Sequence, residues 1–395
     1  MSAVNDVVIL DGARTAIGGF GGSLSGLTPA ELGEAAAKEA IARSNVAAED
    51  IDHCVIGHII PTGAADAYLS RDIALRAGLK NASKALNVNR LCGSSVQSII
   101  SAVQMVALGD SKIALAGGAE SMSQGVYYTQ KARFGQKMGD MSMMDMTVGV
   151  LTDPFDSGHM GMTAERISDQ YQISREEMDE YSVESHKRAQ NAIDQGYFKS
   201  QIVPVEVKKG RQMVTFDTDE HVRADASMEN MGKLKAAFKK DGKVTPGNAS
   251  GINDAAAALV LTTMDEAEKR GLKPKARILS YGFGGVAPEV MGLGPNEAVP
   301  EALEKAGLKV DDMDVIESNE AFAVQAMAVS KSLGFDAGKV NPNGGAVALG
   351  HPVGATGAII TLKCVYELER IGGKYGLITM CIGGGQGIAL VIEKL

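Results

Sequence analysis

Apolar positions along this chain fall into short continuous runs and longer helical stripes, separated by polar or glycine-rich turns. Continuous runs at 7–10, 113–118, 255–261, 375–381 and 388–392 predict buried strands. Residues 96–108 and 358–368 predict helices, each entered from a glycine-rich turn and each followed by a strand of the first kind. A longer amphipathic helix is predicted over 174–195, where Ser174 and Glu177 have the spacing of a capping box. Strands and helices alternating along most of the length predict an α/β architecture.

The two ends of the chain look like versions of one another. Residues 40–52 can be laid on 302–314: each is the end of an Ala-rich helix, a polar turn, an acidic pair, then Ile-Asp or Met-Asp leading into a strand. On that register Gly57 falls opposite Asn319. Each half then runs through a glycine-rich turn into a helix, the first turn holding Cys92 and the second His351. The pattern predicts a duplicated α/β unit. Residues 121–249 differ in character and read as an insertion. They hold methionines at 138, 141, 143, 144 and 146, the capped helix, and a basic segment over 199–243 with ten Lys/Arg against seven Asp/Glu. The methionines suit flexible apolar packing at a subunit contact better than soft copper ligation.

A length of 395 residues, with 45% apolar and 22% charged positions, predicts a globular protein of two or three domains. The net charge of −9 argues against a nucleic-acid partner. The basic segment either receives a phosphorylated ligand or is a solvated face of uneven charge. The four cysteines include no Cys-x-x-Cys pair, so no structural zinc is expected. Val7 to Leu10 already reads as a strand, so no secretory leader is expected and the cysteines are expected to be thiols. The run 255–261 is far short of the roughly 20 residues that span a bilayer, so no membrane span is expected. A cytoplasmic enzyme is the simplest expectation.

Candidate chemistry sits in three turns. Cys92 lies in Asn-Arg-Leu-Cys-Gly-Ser-Ser, just before the first helix. A helix N-terminus presents free amides and partial positive charge, which predicts a lowered thiol pKa and a thiolate; the alternative is a plain buried cysteine. His351 lies in Leu-Gly-His-Pro, also just before a helix. Cys381 ends an apolar strand and precedes three glycines, whose backbone N–H groups can serve an oxyanion. His53, His58, His186 and His221 read as structural, whereas the turn carrying His159 could reach a site. The glycine run 383–387 leads into a strand and lacks Gly-Lys-Ser/Thr, so it is no phosphate loop, and 18–22 lacks the third glycine of a dinucleotide fingerprint. Two cysteines with one histidine suit a nucleophile plus a separate acid/base, the needs of carbon–carbon chemistry on a thioester.

Together with Asn319-Glu320-Ala321-Phe322-Ala323 and Asp11-Gly12-Ala13-Arg14-Thr15, these turns resemble the thiolase family, in particular its biosynthetic acetyl-CoA acetyltransferases. The resemblance implies two similar βαβαβαββ domains in a five-layer α-β-α-β-α sandwich with an inserted loop domain. Placed on this chain, these are residues 1–120 plus 250–271, a loop domain at 121–249 for tetramerisation and coenzyme A binding, and 272–395. It implies condensation of two acetyl-CoA to acetoacetyl-CoA and coenzyme A through an acetyl-cysteine, with no cofactor and no metal, by a homotetramer. Cys92 matches the nucleophile, His351 its activator, and Cys381 the acid/base that moves a proton at the acetyl α-carbon or at departing coenzyme A. Asn319 matches the residue holding a water that forms one oxyanion hole with His351; the amides of Cys92 and Gly383 match the other. Ser250 matches a pantetheine contact, and Arg223 lies in the region that meets the nucleotide end. His159, Met160, Phe238 and Phe322 are the further residues expected around the thioester. His159 in Gly-His-Met-Gly resembles the short-chain branch, and Met160 and Phe322 would narrow the acyl pocket. Asp254-Ala255-Ala256 and the Met-rich loop depart from the family pattern. The rivals are a longer-chain 3-ketoacyl-CoA thiolase, a ketoacyl synthase, and a non-catalytic acyl-CoA or lipid carrier. Cys381 speaks against the synthase, and the full set of reactive residues against the carrier.

Overall fold

The structure is a computed structural model and describes residues 4–395. The apolar runs form β1 (Val7–Arg14), β2 (His53–Gly57), β3 (Lys84–Val88), β4 (Ile113–Ser121), β5 (Asn253–Thr263), β6 (Ala276–Gly285), β7 (Val315–Ser318), β8 (Tyr375–Ile382) and β9 (Gln386–Lys394). The helices that matter here are α1 (Pro29–Arg43), α2 (Ser94–Leu108), α3 (Met160–Tyr171), α4 (Arg175–Asp194), α5 (Pro295–Ala306), α6 (Ala323–Leu333) and α7 (Thr356–Ile371). The strands join laterally as β7-β8-β9-β6-β1-β5-β4-β2-β3. Every residue of β4 is buried, as expected of a strand covered on both faces.

The duplication is visible in the ladders. In the first half β1/β5 and β5/β4 are antiparallel, while β4/β2 and β2/β3 are parallel. In the second half β6/β9 and β9/β8 are antiparallel and β8/β7 is parallel. The parallel bridge Ile316↔Val340 stands where a counterpart of β3 would run. The aligned segments also match. α1 and α5 each end before a turn, at Asn45 and Gly307, where φ is 53° and 68°, and each is followed by one 3-10 turn, Ala48–Asp50 or Val310–Asp312.

The halves are stitched through β1 and β6 over two residue pairs, Val8↔Arg277 and Ile9↔Ala276. So short a seam lets them splay and face each other, and α2 and α7 pack together between them. α1 covers the outer face of the first half and α5 that of the second, which completes the five layers. Segment 91–108 is apolar and long enough to cross a membrane by composition, contrary to the expectation of no such run. Its apolarity has another cause: α2 is the core helix of the middle layer, touching β4 and β2 on one side and α7 on the other.

The inserted segment carries α3, α4 and the hairpin Val205–Lys209/Gln212–Phe216. Ser174 and Glu177 do form a capping box at the start of α4. The buried Arg14 guanidinium grips Asp219 with two bonds of 2.8 and 2.9 Å, tying the insertion to the first half. Glu320 ties it to the second, accepting from Tyr181 (3.0 Å) and Ser185 (2.8 Å) of α4. Met138, Met141 and Met143 are exposed, as is Phe134.

Candidate active site

Close backbone approach brings the three turns together at the seam. A Cβ on Gly118, in β4, would lie 2.1 Å from the Gly354 carbonyl oxygen, and one on Gly357 would lie 2.5 Å from Val96. Glycine is therefore required where the halves touch. On the Cys92 side, Leu91 takes a left-handed φ of 45°. The Ser94 hydroxyl fixes that turn, accepting from the Arg90 amide (2.9 Å) and donating to the Leu91 carbonyl (2.7 Å). Glu120, fully buried near the end of β4, accepts from the amides of Ile59, Ile60 and Gly354 at 3.2, 3.1 and 2.8 Å. It thus fastens loops of both halves. Burial opposes charge on His58, but Glu120 and Asp66, 3.0 and 3.4 Å away, outweigh it and raise His58 to about 10. His58 is structural, as read from the sequence.

His351 is held on both sides. Its amide donates to Asn253 Oδ1 (2.9 Å), and the preceding Gly350 has φ 104° with no room for a side chain beside Asn253. Thr356 Oγ1 donates its proton to the Pro352 carbonyl (2.9 Å), so it accepts from His351 Nδ1 at 2.7 Å. The lone pair is then on Nε2, which lies 3.4 Å from Asn319 Nδ2. Burial pushes His351 down to about 4, so at neutral pH the ring is uncharged and can take a proton.

The expected thiolate at Cys92 is not the resting state. Burial pushes this thiol up to about 11, although N–H groups of Gly383 and of Cys92 itself favour the anion. Loss of hydration outweighs the helix end. Burial, and next the neighbouring Cys92, push Cys381 higher still. The resting site therefore holds two protonated thiols and a neutral imidazole.

Cys92, His351 and Cys381 line one cavity of about 280 Å³, together with Ser250, His159, Met160, Phe238 and Phe322. Most of its wall is apolar. Phe238 stacks on His159 (centroids 4.7 Å apart) and meets Phe322 edge-on at 6.3 Å. His159 caps α3, its Nδ1 accepting from the Gly161 amide at 3.1 Å. Ser250 is positioned by its backbone N–H, which donates to the Ala321 carbonyl (3.0 Å). Asn319 reaches the site through His351, and the Gly383 N–H favours the anionic form of the Cys92 sulfur. Arg223 is outside the cavity: it is exposed, with its amide bonded to His186 at 3.2 Å. Sequence reading missed Thr356, which sets the histidine tautomer, and Glu120, which holds the loops. A hydroxyl one turn after the histidine was a visible signal for the first; the second had none, since its partners lie far along the chain. Among the described residues, no group of three or more His, Cys, Asp or Glu is placed to hold a metal.

Cys92 is the one cysteine of the four with solvent access. Iodoacetamide is expected to alkylate Cys92 first, and prior acetoacetyl-CoA to protect it, as read by peptide mass spectrometry. Equal labelling of all four cysteines would contradict this geometry.

Residues 7–265 match the family model described as thiolase, N-terminal domain, and residues 272–394 match thiolase, C-terminal domain. The chain is 56% identical over 392 residues to beta-ketothiolase BktB of Cupriavidus necator, covering 99% of each. It is 45% identical to an acetyl-CoA acetyltransferase of Allochromatium vinosum, again over 99% of each. Its fold superposes on the crystal structure of human mitochondrial 3-ketoacyl-CoA thiolase with a TM-score of 0.96, at 44% identity over 98% of both chains. The chain belongs to the thiolase family.

Proposed function

We propose that this chain is an acetyl-CoA C-acetyltransferase, joining two acetyl-CoA into acetoacetyl-CoA and coenzyme A and running the reverse thiolysis. The observation that carries this is one apolar cavity lined by two thiols and a neutral imidazole. His351 Nε2 takes the proton of Cys92 as its sulfur attacks the first thioester, so charge arises only with substrate in place. Cys381 gives its proton to the departing coenzyme A sulfur, which leaves as a thiol, and the acetyl group stays on Cys92. Cys381, now a thiolate, removes the α-proton of the second acetyl-CoA, while His351 keeps the proton it took from Cys92. The resulting enolate oxygen is served by His351 and a water on Asn319. The enolate carbon attacks the acetyl carbonyl, whose oxygen is served by the amides of Cys92 and Gly383. Donors aimed at such oxygens contribute about 3–4 kcal/mol each. Collapse releases acetoacetyl-CoA and the Cys92 sulfur, which takes its proton back from His351.

Ser250 is proposed to meet pantetheine, and Arg223 with the basic segment the nucleotide end, outside the cavity. The domain division at 1–120 plus 250–271, 121–249 and 272–395 belongs to the same proposal. So does a cytoplasmic homotetramer, supported by the exposed Phe134, Met138, Met141 and Met143 on the insertion.

A second reading, a longer-chain 3-ketoacyl-CoA thiolase, is favoured by the name of the human structure on which the fold superposes. The short-chain reading is supported by the packing of Met160, Phe238 and Phe322 around the cavity. Steady-state assays with acetoacetyl-CoA and 3-ketohexadecanoyl-CoA decide between them. The expected outcome is higher kcat/KM for acetoacetyl-CoA; strong preference for the long chain would overturn the short-chain assignment.

A further inference from the structure

Behind Asn319 there is a second, much smaller cavity between β7 and α7. It leaves about 10 Å³ for the centre of a water molecule, enough for one. Glu317, Ser318, Asn319, Thr356 and Lys363 all line it. Two buried acceptors there have no hydrogen-bond partner among the described residues, Glu317 Oε1 and Asn319 Oδ1. Each of those residues is 1% exposed. Buried acceptors left in that condition are rare in folded proteins.

The donor count on the facing helix fits them. The Lys363 ammonium, 2% exposed, has three N–H groups. Two are placed, on Glu317 Oε2 at 2.8 Å and on the Gly344 carbonyl at 2.7 Å. One remains. Glu317 and Asn319 are two residues apart in extended chain, so their side chains leave the same face, the one that α7 covers. A water in this cavity can donate to Glu317 Oε1 and Asn319 Oδ1 while accepting the third Lys363 N–H.

We propose that Glu317 and Lys363 are positioning residues for catalysis, holding the Asn319 side-chain amide through this buried water so that Nδ2 is presented to His351 and to the separate water that serves the substrate oxygen. The two ends of an amide side chain are nearly the same shape, so packing alone does not choose between them. Rotated by half a turn, Asn319 would aim Oδ1 at the lone pair of His351 Nε2 and would offer no N–H to the water that serves the enolate. The buried ion pair removes that choice. The inference rests on the thiolase reading of Asn319.

The test compares acetoacetyl-CoA thiolysis by wild type, Asn319→Ala, Glu317→Gln and the double variant. Glu317→Gln is expected to lower kcat about 10- to 30-fold at nearly unchanged KM, less than the roughly 10²- to 10³-fold loss from deleting an oxyanion donor. The double variant is expected to be no slower than Asn319→Ala, because Glu317 acts through Asn319. Wild-type kcat in Glu317→Gln, or losses that multiply in the double variant, would overturn the proposal. Should the unpaired lysine prevent folding, Glu317→Gln/Lys363→Met removes both charges and is expected to show the same kcat loss. Wild-type turnover in Asn319→Ala would instead defeat the thiolase role of Asn319, a distinct failure.

Discussion

Cys92→Ala is expected to lower turnover of acetoacetyl-CoA by at least about 10⁴-fold, and to leave no acetylated protein after incubation with acetyl-CoA. Loss on that scale follows when a covalent route is removed and only binding and oxyanion donors remain. Intact-protein mass spectrometry reads the intermediate directly: wild type gains one acetyl group and the variant gains none. The loss cannot be put down to a damaged core. Cys92 is partly open to the cavity, and alanine keeps the backbone amide proposed to serve the oxyanion. An acetyl group found on another residue, with turnover preserved, would remove Cys92 from the mechanism. Cys92→Ser separates nucleophile strength from geometry. Serine fits the same turn but is a poorer nucleophile, so slow residual acetylation with intact folding is the expected result.

Cys381→Ala is expected to split the two half-reactions. Acetyl-CoA should still load Cys92, because His351 and both sets of oxyanion donors are untouched. Condensation should fall by about 10²- to 10⁴-fold, the range of a positioned general acid or base. Exchange of the acetyl α-protons of acetyl-CoA with deuterated solvent should fall alongside it. Full condensation in this variant would mean that another group moves the proton, and His351 would be the first suspect. Together the two variants distinguish a thiolase from a carrier that merely traps acyl groups.

Much of this site could be read from residues because its requirements are local. A nucleophile at a helix start needs small neighbours, and Gly93 and Ser94 advertise that need. The repeat was legible for a similar reason: the α1 and α5 ends, their 3-10 turns and the following strands use the same residue types in the same order. Ionisation was not legible. The helix-end effect on Cys92 is local and can be foreseen, but the burial that overrides it depends on which strands and loops close over the sulfur. Glu120 shows the same limit, since its bond to Gly354 spans 234 positions. The apolar segment 91–108 is ambiguous by composition, and only its place in the middle layer tells core from membrane. Arg223 was read from local charge as lying towards the nucleotide end, and it is exposed outside the acyl cavity.

The narrow stitch between β1 and β6 has a practical corollary. With sulfur contributed by one repeat and imidazole by the other, neither could turn over substrate if produced by itself. Two separately made fragments would first have to rebuild the shared helical filling before any product appeared. Enzymatic rate is therefore a census of whole, correctly mated molecules, and on heating it is expected to vanish together with the collective melt of both repeats.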